Sequence, residues 1–271
     1  MFCVCATTLI HSNHSHHFHQ APSMTLAEGG YFGDAVQRWR VARLKQRARS
    51  EALPTSLQQY LGQLQALPAK RTPIEELRFV VLDAETTGLD ARHDAMLSLA
   101  AVAVQGSSIR FDDVFEAMVF SDRRRAIAAT ANIHELLPSH LQQGQAEHCV
   151  VADFAGYVGN AVLVGHHADF DVTLVNTALQ HHYNMRLINP VIDTAWLAVY
   201  LFQERGLAAG SEAITYADYT LDALCARLGI LGADRHSAAG DALTTALLLL
   251  KLLALCRKRG MRTLGDMLKH C

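Results

Sequence analysis

Phe79-Val80-Val81-Leu82 is an apolar run that gives way at once to Asp83-Ala84-Glu85-Thr86-Thr87-Gly88. The run is β-branched or aromatic in three of its four places and reads as a buried strand. Residues i and i+2 of a strand share one face, so Asp83 and Glu85 point the same way. Two anions that close repel each other and lose hydration as they approach a buried sheet, and a chain that keeps both usually neutralises them with a cation. Thr-Thr-Gly ends the strand in a turn whose backbone can approach a ligand closely. The bland alternative is a strand end with two solvated acids.

The chain has 271 residues, 50% hydrophobic and 18% charged, enough for one domain of substantial core plus extensions. A net charge of -2 gives no global basic signature. A polyanionic partner must therefore be held by local basic patches or by metal. The longest apolar run, residues 246–255, contains Lys251 and is too short to span a membrane, so no membrane association is expected. Six cysteines are scattered, and Cys3 and Cys5 have no partner pair at zinc-ribbon spacing. They read as reduced thiols in a cytoplasmic protein. No signal peptide pattern opens the chain.

Four segments follow from the pattern. Residues 1–23 form a tail expected to be disordered, in which His11, His14, His16, His17 and His19 crowd together; a loose metal site is the sharper reading. Residues 24–72 form a helical N-terminal extension. In it Phe32, Val36 and Trp39 are spaced for one face, and Arg38, Arg40, Arg43, Lys45, Arg47 and Arg49 crowd the rest. That basic face is either solvated or grips phosphates. Leu53, Leu57, Leu61, Leu64 and Leu67 make a second stripe, with Pro54 in its first turn. Residues 73–258 form the main domain and 259–271 a C-terminal tail. In the main domain strands are expected at 96–104 and 109–120 around a Gly106-Ser107-Ser108 turn, then at 161–164 and 191–194. Helical segments are expected up to about 141, including Arg123, Arg124 and Arg125, and at 151–158, 172–183, 195–204 and 242–255. Another lies between Thr220 as N-cap and Gly229 as terminator.

Asp83, Glu85, Asp171 and Asp241 each sit where a strand or helix begins or ends, and His236 precedes Asp241 by five residues. Singly each has a dull explanation, such as a helix N-terminal charge for Asp171. Together they suit phosphodiester hydrolysis. Two divalent cations can bind the scissile phosphate, activate a water and stabilise the leaving oxygen. Such hard ions prefer carboxylate oxygens. A histidine titrating near neutrality can take the proton from the water.

Asp83-Ala84-Glu85-Thr86-Thr87-Gly88, Gly165-His166-His167-Ala168-Asp169-Phe170-Asp171 and His236-Ser237-Ala238-Ala239-Gly240-Asp241 resemble, in order, the three motifs of the DEDDh (DnaQ-like) 3′–5′ exonucleases. The likeness is to the proofreading epsilon subunit of bacterial DNA polymerase III and its stand-alone relatives. Ile133-His134-Glu135-Leu136 resembles the family's Ile-His-Gly-Ile segment. The resemblance implies an α/β fold like ribonuclease H: a mixed five-stranded sheet, its first three strands antiparallel, flanked by helices. It implies two Mg²⁺ or Mn²⁺ ions held by Asp83, Glu85, Asp171 and Asp241, with Asp83 bridging both and His236 as general base. Thr86, Thr87, Gly88, Leu89, His134 and His167 would contact the substrate, a nucleic acid with a free 3′ end. The product would be nucleoside 5′-monophosphates.

The chain departs from the family pattern at three places. His167 stands where Asn is usual, Ser98 where many relatives have Glu, and Glu135 where Gly is common. No long polymerase-binding tail follows the last helix, so a stand-alone enzyme, or one that docks through residues 24–72, is expected. Two rival readings stay open: an RNA exonuclease of the same fold, and a non-catalytic nucleic-acid-binding or polymerase-associated module.

Overall fold

The computed structural model describes residues 39, 41–44, 46, 53–120, 143–203, 216–232 and 237–269. The acid-bearing strand is β1 (Arg78–Thr86), and it lies at the centre of a five-stranded sheet. β2 (Met96–Gln105) pairs with it antiparallel and β3 (Ser108–Met118) pairs with β2 in the same sense. β4 (Val162–Gly165) and β5 (Val191–Asp193) join parallel on the other side, giving the order β3-β2-β1-β4-β5. The antiparallel half follows from a short loop: Gln105 pairs with Ser108 across Gly106 and Ser107, and Gly106 has φ 63. Positive φ at the first loop position matches the turn to the strand twist. The parallel half needs helical crossovers. α2 (Glu147–Val158) precedes β4, and α3 (Asp169–Tyr183) joins β4 to β5.

Strand alternation sorts the core into two layers. Val80 and Leu82 pack with α1 (Thr55–Gln63), α2 and α3. Phe79 and Val81 pack with α4 (Thr194–Gln203), α5 (Leu221–Leu228), α6 (Ala238–Lys258) and α7 (Leu264–Met267). Among the described residues, α6 is the one helix long and apolar enough to cross a membrane. Its Leu248, Leu249, Leu252 and Leu253 are fully buried in the second layer.

Three helices start earlier than the sequence pattern predicts, at 147, 169 and 238 instead of 151, 172 and 242. Their first turns are mostly polar or small, Phe170 excepted, so apolar periodicity does not reach them. α2 and α3 also lack a capping side chain, while α6 is capped by Ser237, whose Oγ accepts from the Gly240 N–H at 3.1 Å. The early starts put Asp171 and Asp241 inside first helical turns. α5 begins and ends as expected: Thr220 Oγ1 accepts from the Ala223 N–H at 3.2 Å, and Gly229 closes it at φ 62.

The second leucine stripe belongs to the main core. Leu57 and Tyr60 on α1 are fully buried, and Pro54 sits at the N-cap position instead of the first turn. The Tyr60 hydroxyl donates to Asn189 Oδ1 at 2.9 Å and accepts from the Ile188 N–H at 2.9 Å. Upstream, Trp39 does not face inward as its spacing suggested. It is 57% exposed, and Val41, two residues on, is the buried one. Arg43, one turn later, lays its guanidinium over the indole at 5.2 Å and holds it at the surface. Phe32, Val36, residues 1–23, the Arg123 cluster and the helical segment expected up to 141 lie outside the described residues.

Residues 261–267, expected as tail, pack instead. Met261, Leu264 and Met267 are buried, and α7 opens with a reciprocal cap between Thr263 and Asp266. Short backbone bonds join this segment to the entry of the domain, from Ile74 N–H to Arg262 O at 2.9 Å and from Leu264 N–H to Thr72 O at 3.0 Å.

Candidate active site

The ladder between β1 and β4 ends at Val81 and Val164, while β1 runs on to Thr86. β2 continues to pair with Asp83, Ala84 and Glu85. The last residues of β1 therefore have a strand on one edge only, and a crevice opens at the carboxyl ends of the parallel strands, where open α/β sheets bind ligands. Asp83 and Glu85 continue the Phe79 and Val81 face, towards the layer of α6. The first turn of α6 brings Asp241 to them. One carboxylate oxygen from each of Asp83, Glu85 and Asp241 lies within 4.8 Å of the other two.

Asp171 arrives from the opposite layer, on the first turn of α3. Its carboxyl faces the backbone N–H of Ala84, between the two β1 acids, and its own N–H. Burial first of all, helped by the charges of Asp193 and Glu85 and opposed by the two N–H groups, pushes it up to about 8. The approach from the other side explains why Asp171 adjoins the three-acid group without belonging to it. Glu85 and Asp171 are both 5% exposed. A partly buried cluster of hard oxygen donors is the set that suits Mg²⁺ or Mn²⁺.

The turn after β1 is wired to Asp94. Thr87 Oγ1 donates to Asp94 Oδ1 at 3.0 Å and accepts from the Ala95 N–H at 3.0 Å. Asp94 Oδ2 accepts from the Asp90 N–H at 2.9 Å, and Thr86 Oγ1 donates to the Gly88 carbonyl at 2.6 Å. A Cβ on Gly88 would stand 2.5 Å from Asp94 Oδ2, so a larger residue would have to push the Asp94 carboxylate off Thr87 and Asp90. Leu89 projects from the turn, 94% exposed.

In the second motif, His166 Nδ1 lies 2.9 Å from Thr194 Oγ1. His167 has φ 58, in the left-handed region where Asn, Asp and His are enriched over other residues. Its ring meets His166 at 4.5 Å and Tyr216 at 4.7 Å, both edge to face. His167 thus occupies a backbone conformation that Asn also tolerates.

Asp193 and Tyr216 complete this wall, and the sequence reading gave neither a role. Asp193 Oδ2 accepts from the Ala168 N–H at 3.0 Å and from the Tyr216 hydroxyl at 2.9 Å. Oδ1 accepts from the Ala195 N–H at 2.8 Å. One carboxylate thus pins the start of α3, which carries Asp171, to the start of α4. Burial, then the Asp193 charge, pushes the Tyr216 hydroxyl far up, and it stays protonated as donor. An Asp at a strand-to-helix junction is a cap signal and could have flagged the position. Ser98 is buried opposite Glu85 on β2. His236 and His134 lie outside the described residues; Ser237, next to His236, is the α6 cap.

The sheet order β3-β2-β1-β4-β5, flanked by helices, is the ribonuclease H-like architecture, with the acid cluster at its centre. The exonuclease family profile matches residues 80–249, and the chain belongs to that family. It is 34% identical over 191 residues to DNA polymerase III PolC-type of Bacillus subtilis, 70% of this chain and 12% of that one. It is 34% identical over 200 residues to a DNA polymerase III subunit epsilon-like protein of Rhodobacter capsulatus, 73% of this chain and 27% of that one. The chain thus spans a minor part of these relatives' length. E. coli exonuclease I in complex with a dT13 oligonucleotide shares the fold at TM-score 0.53 and 15% identity, over 68% of this chain and 43% of that one. Cell-death related nuclease 4 shares it at TM-score 0.53 and 14% identity, over 67% of this chain and 65% of that one.

Proposed function

We propose that this chain is a metal-dependent 3′–5′ exonuclease that acts on DNA and releases nucleoside 5′-monophosphates. The observation that carries this reading is the convergence of Asp83, Glu85 and Asp241 beside buried Asp171. Asp83, Glu85, Asp171 and Asp241 would hold two Mg²⁺ or Mn²⁺ ions. When bound, these ions supply charge stabilisation at the phosphate and lower the pKa of a water. His236 accepts the proton of the attacking water. The turn of Thr86, Thr87 and Gly88 holds the terminal nucleotide, with exposed Leu89 against its base or sugar. His134 and His167 contact the strand.

The family match supports nuclease chemistry. The DNA polymerase names of the relatives and the oligonucleotide in the exonuclease I structure favour DNA over RNA. α1 spends its apolar face in the core, which leaves residues 24–52 as the segment for docking to a partner. A cytoplasmic location fits reduced cysteines and a nucleic-acid substrate.

The test is a time course on 3′-labelled single-stranded DNA, duplex DNA with a mismatched end, and short RNA, with Mg²⁺, Mn²⁺ or chelator. Stepwise release of nucleoside 5′-monophosphates from DNA, in metal only, is expected. Tight strand binding with no product in either metal overturns the catalytic reading; faster release from RNA overturns the DNA assignment.

A further inference from the structure

The end of α3 remote from Asp171 carries a group of nitrogen and oxygen donors away from the carboxylate cluster. His182, in the last turn of α3, places Nε2 2.9 Å from Oε2 of Glu147, in the first turn of α2. His148, next along α2, packs its ring against His182 with centroids 5.7 Å apart and planes inclined by 56°. Tyr183 ties the same helix ends together, its hydroxyl donating to the His148 carbonyl at 3.0 Å. His182 lies eleven helical steps from Asp171, roughly 16 Å at 1.5 Å each.

We propose that Glu147, His148 and His182 form a site for a borderline-soft divalent cation, Zn²⁺ first among them, separate from the carboxylate cluster. Zinc bonds of about 2.0–2.1 Å to nitrogen and oxygen set neighbouring tetrahedral donors about 3.3 Å apart. The 2.9 Å pair opens only slightly to reach that. The same bond lengths hold two imidazole centroids on one zinc roughly 5–5.5 Å apart, close to the 5.7 Å between His148 and His182. As placed, His148 does not bring a nitrogen within 4.8 Å of both other donors; it is exposed, so the site requires a change of its side-chain rotamer that turns one nitrogen to the shared point. Water completes the shell. Two imidazoles and one carboxylate suit zinc, whereas an all-carboxylate cluster suits harder ions, so the two sites sort different metals. Zinc here clamps α2 to α3 and stabilises the fold by mass action. The competing account is a simple Glu147–His182 ion pair between helix ends.

The experiment uses the full chain in millimolar Mg²⁺, dialysed against micromolar ZnCl2, with zinc measured by mass spectrometry. The histidines of residues 1–23 are common to every variant and cancel. Wild type and the control His181→Ala should each retain about one zinc more than His148→Ala or His182→Ala. Zinc should raise the Tm of wild type and not of those two variants. Glu147→Gln should weaken zinc binding about tenfold. His182→Gln keeps a donor to Glu147, so it holds the helix junction while removing the ligand, and it too should lose the extra zinc. Equal zinc content in wild type, His148→Ala, His182→Ala and His182→Gln overturns the site.

Discussion

The Asp171 carboxyl faces the backbone N–H of Ala84, the residue between Asp83 and Glu85. Without metal, burial holds this acid at about 8, above its ordinary value of 3.8. An acid raised in the folded state favours folding fully below its unfolded value, and that contribution is lost as pH rises through the folded one. The Tm of chelated wild type should therefore fall between pH 5 and pH 8. Asp171→Asn keeps an oxygen for the Ala84 N–H and carries no charge, so its Tm should be flatter over that window. Parallel slopes for the two proteins would reject the assignment. The same variant should lose activity by about 10³-fold or more, because a neutral amide is a poor ligand for a hard cation.

Asp83 and Asp241 reach the cluster from different elements and sit half-buried. Asp83→Ala or Asp241→Ala should abolish strand cleavage while the circular dichroism spectrum stays that of wild type. His236→Ala should cost less, on the order of 10²–10⁴ in rate, as expected for a missing general base. Wild-type rates in Asp83→Ala would refute the cluster as the reaction centre.

Much of this was legible in the chain. The run through Leu82 into Asp83 and Glu85 specified β1, and the hairpin glycine at 106 specified the antiparallel half. The starts of α2 and α3 were not legible, because Ala146 and Ala168 cap without a side-chain bond. Trp39 misled because an aromatic at helical spacing reads as core, and Arg43 gives it a surface partner instead. Asp193 escaped notice because its partners, Ala168 and Tyr216, are 25 and 23 residues away. No periodicity within the chain links such positions.

His167 holds a left-handed backbone at φ 58. A β-branched residue there should cost about 1–3 kcal/mol, so His167→Val should lower denaturant stability by that order. His167→Asn keeps the backbone preference and should stay within about 0.5 kcal/mol of wild type, while it removes the ring contacts with His166 and Tyr216. If the ring touches substrate, His167→Asn raises KM with little change in kcat. A Val variant as stable as Asn would argue against the strained turn.

Tyr60 on α1 bridges Asn189 and the Ile188 N–H from a fully buried position. Tyr60→Phe leaves a buried donor and a buried acceptor without this partner and should cost about 1–3 kcal/mol in urea or guanidinium unfolding. The same contact decides where the chain can be shortened. Removing residues 1–52 should leave a folded domain, because the helix bearing Leu57, Tyr60 and Leu61 remains. Removing residues 1–72 should destabilise it severely by stripping that helix from α2 and exposing Val150 and Phe154. The basic residues 38–49 can therefore be tested for a grip on the phosphate backbone by the shorter deletion alone. If they grip it, single-strand affinity falls in that deletion and the salt dependence becomes shallower. Unchanged affinity and slope in the folded 53–271 fragment would reject the idea and leave that face simply solvated.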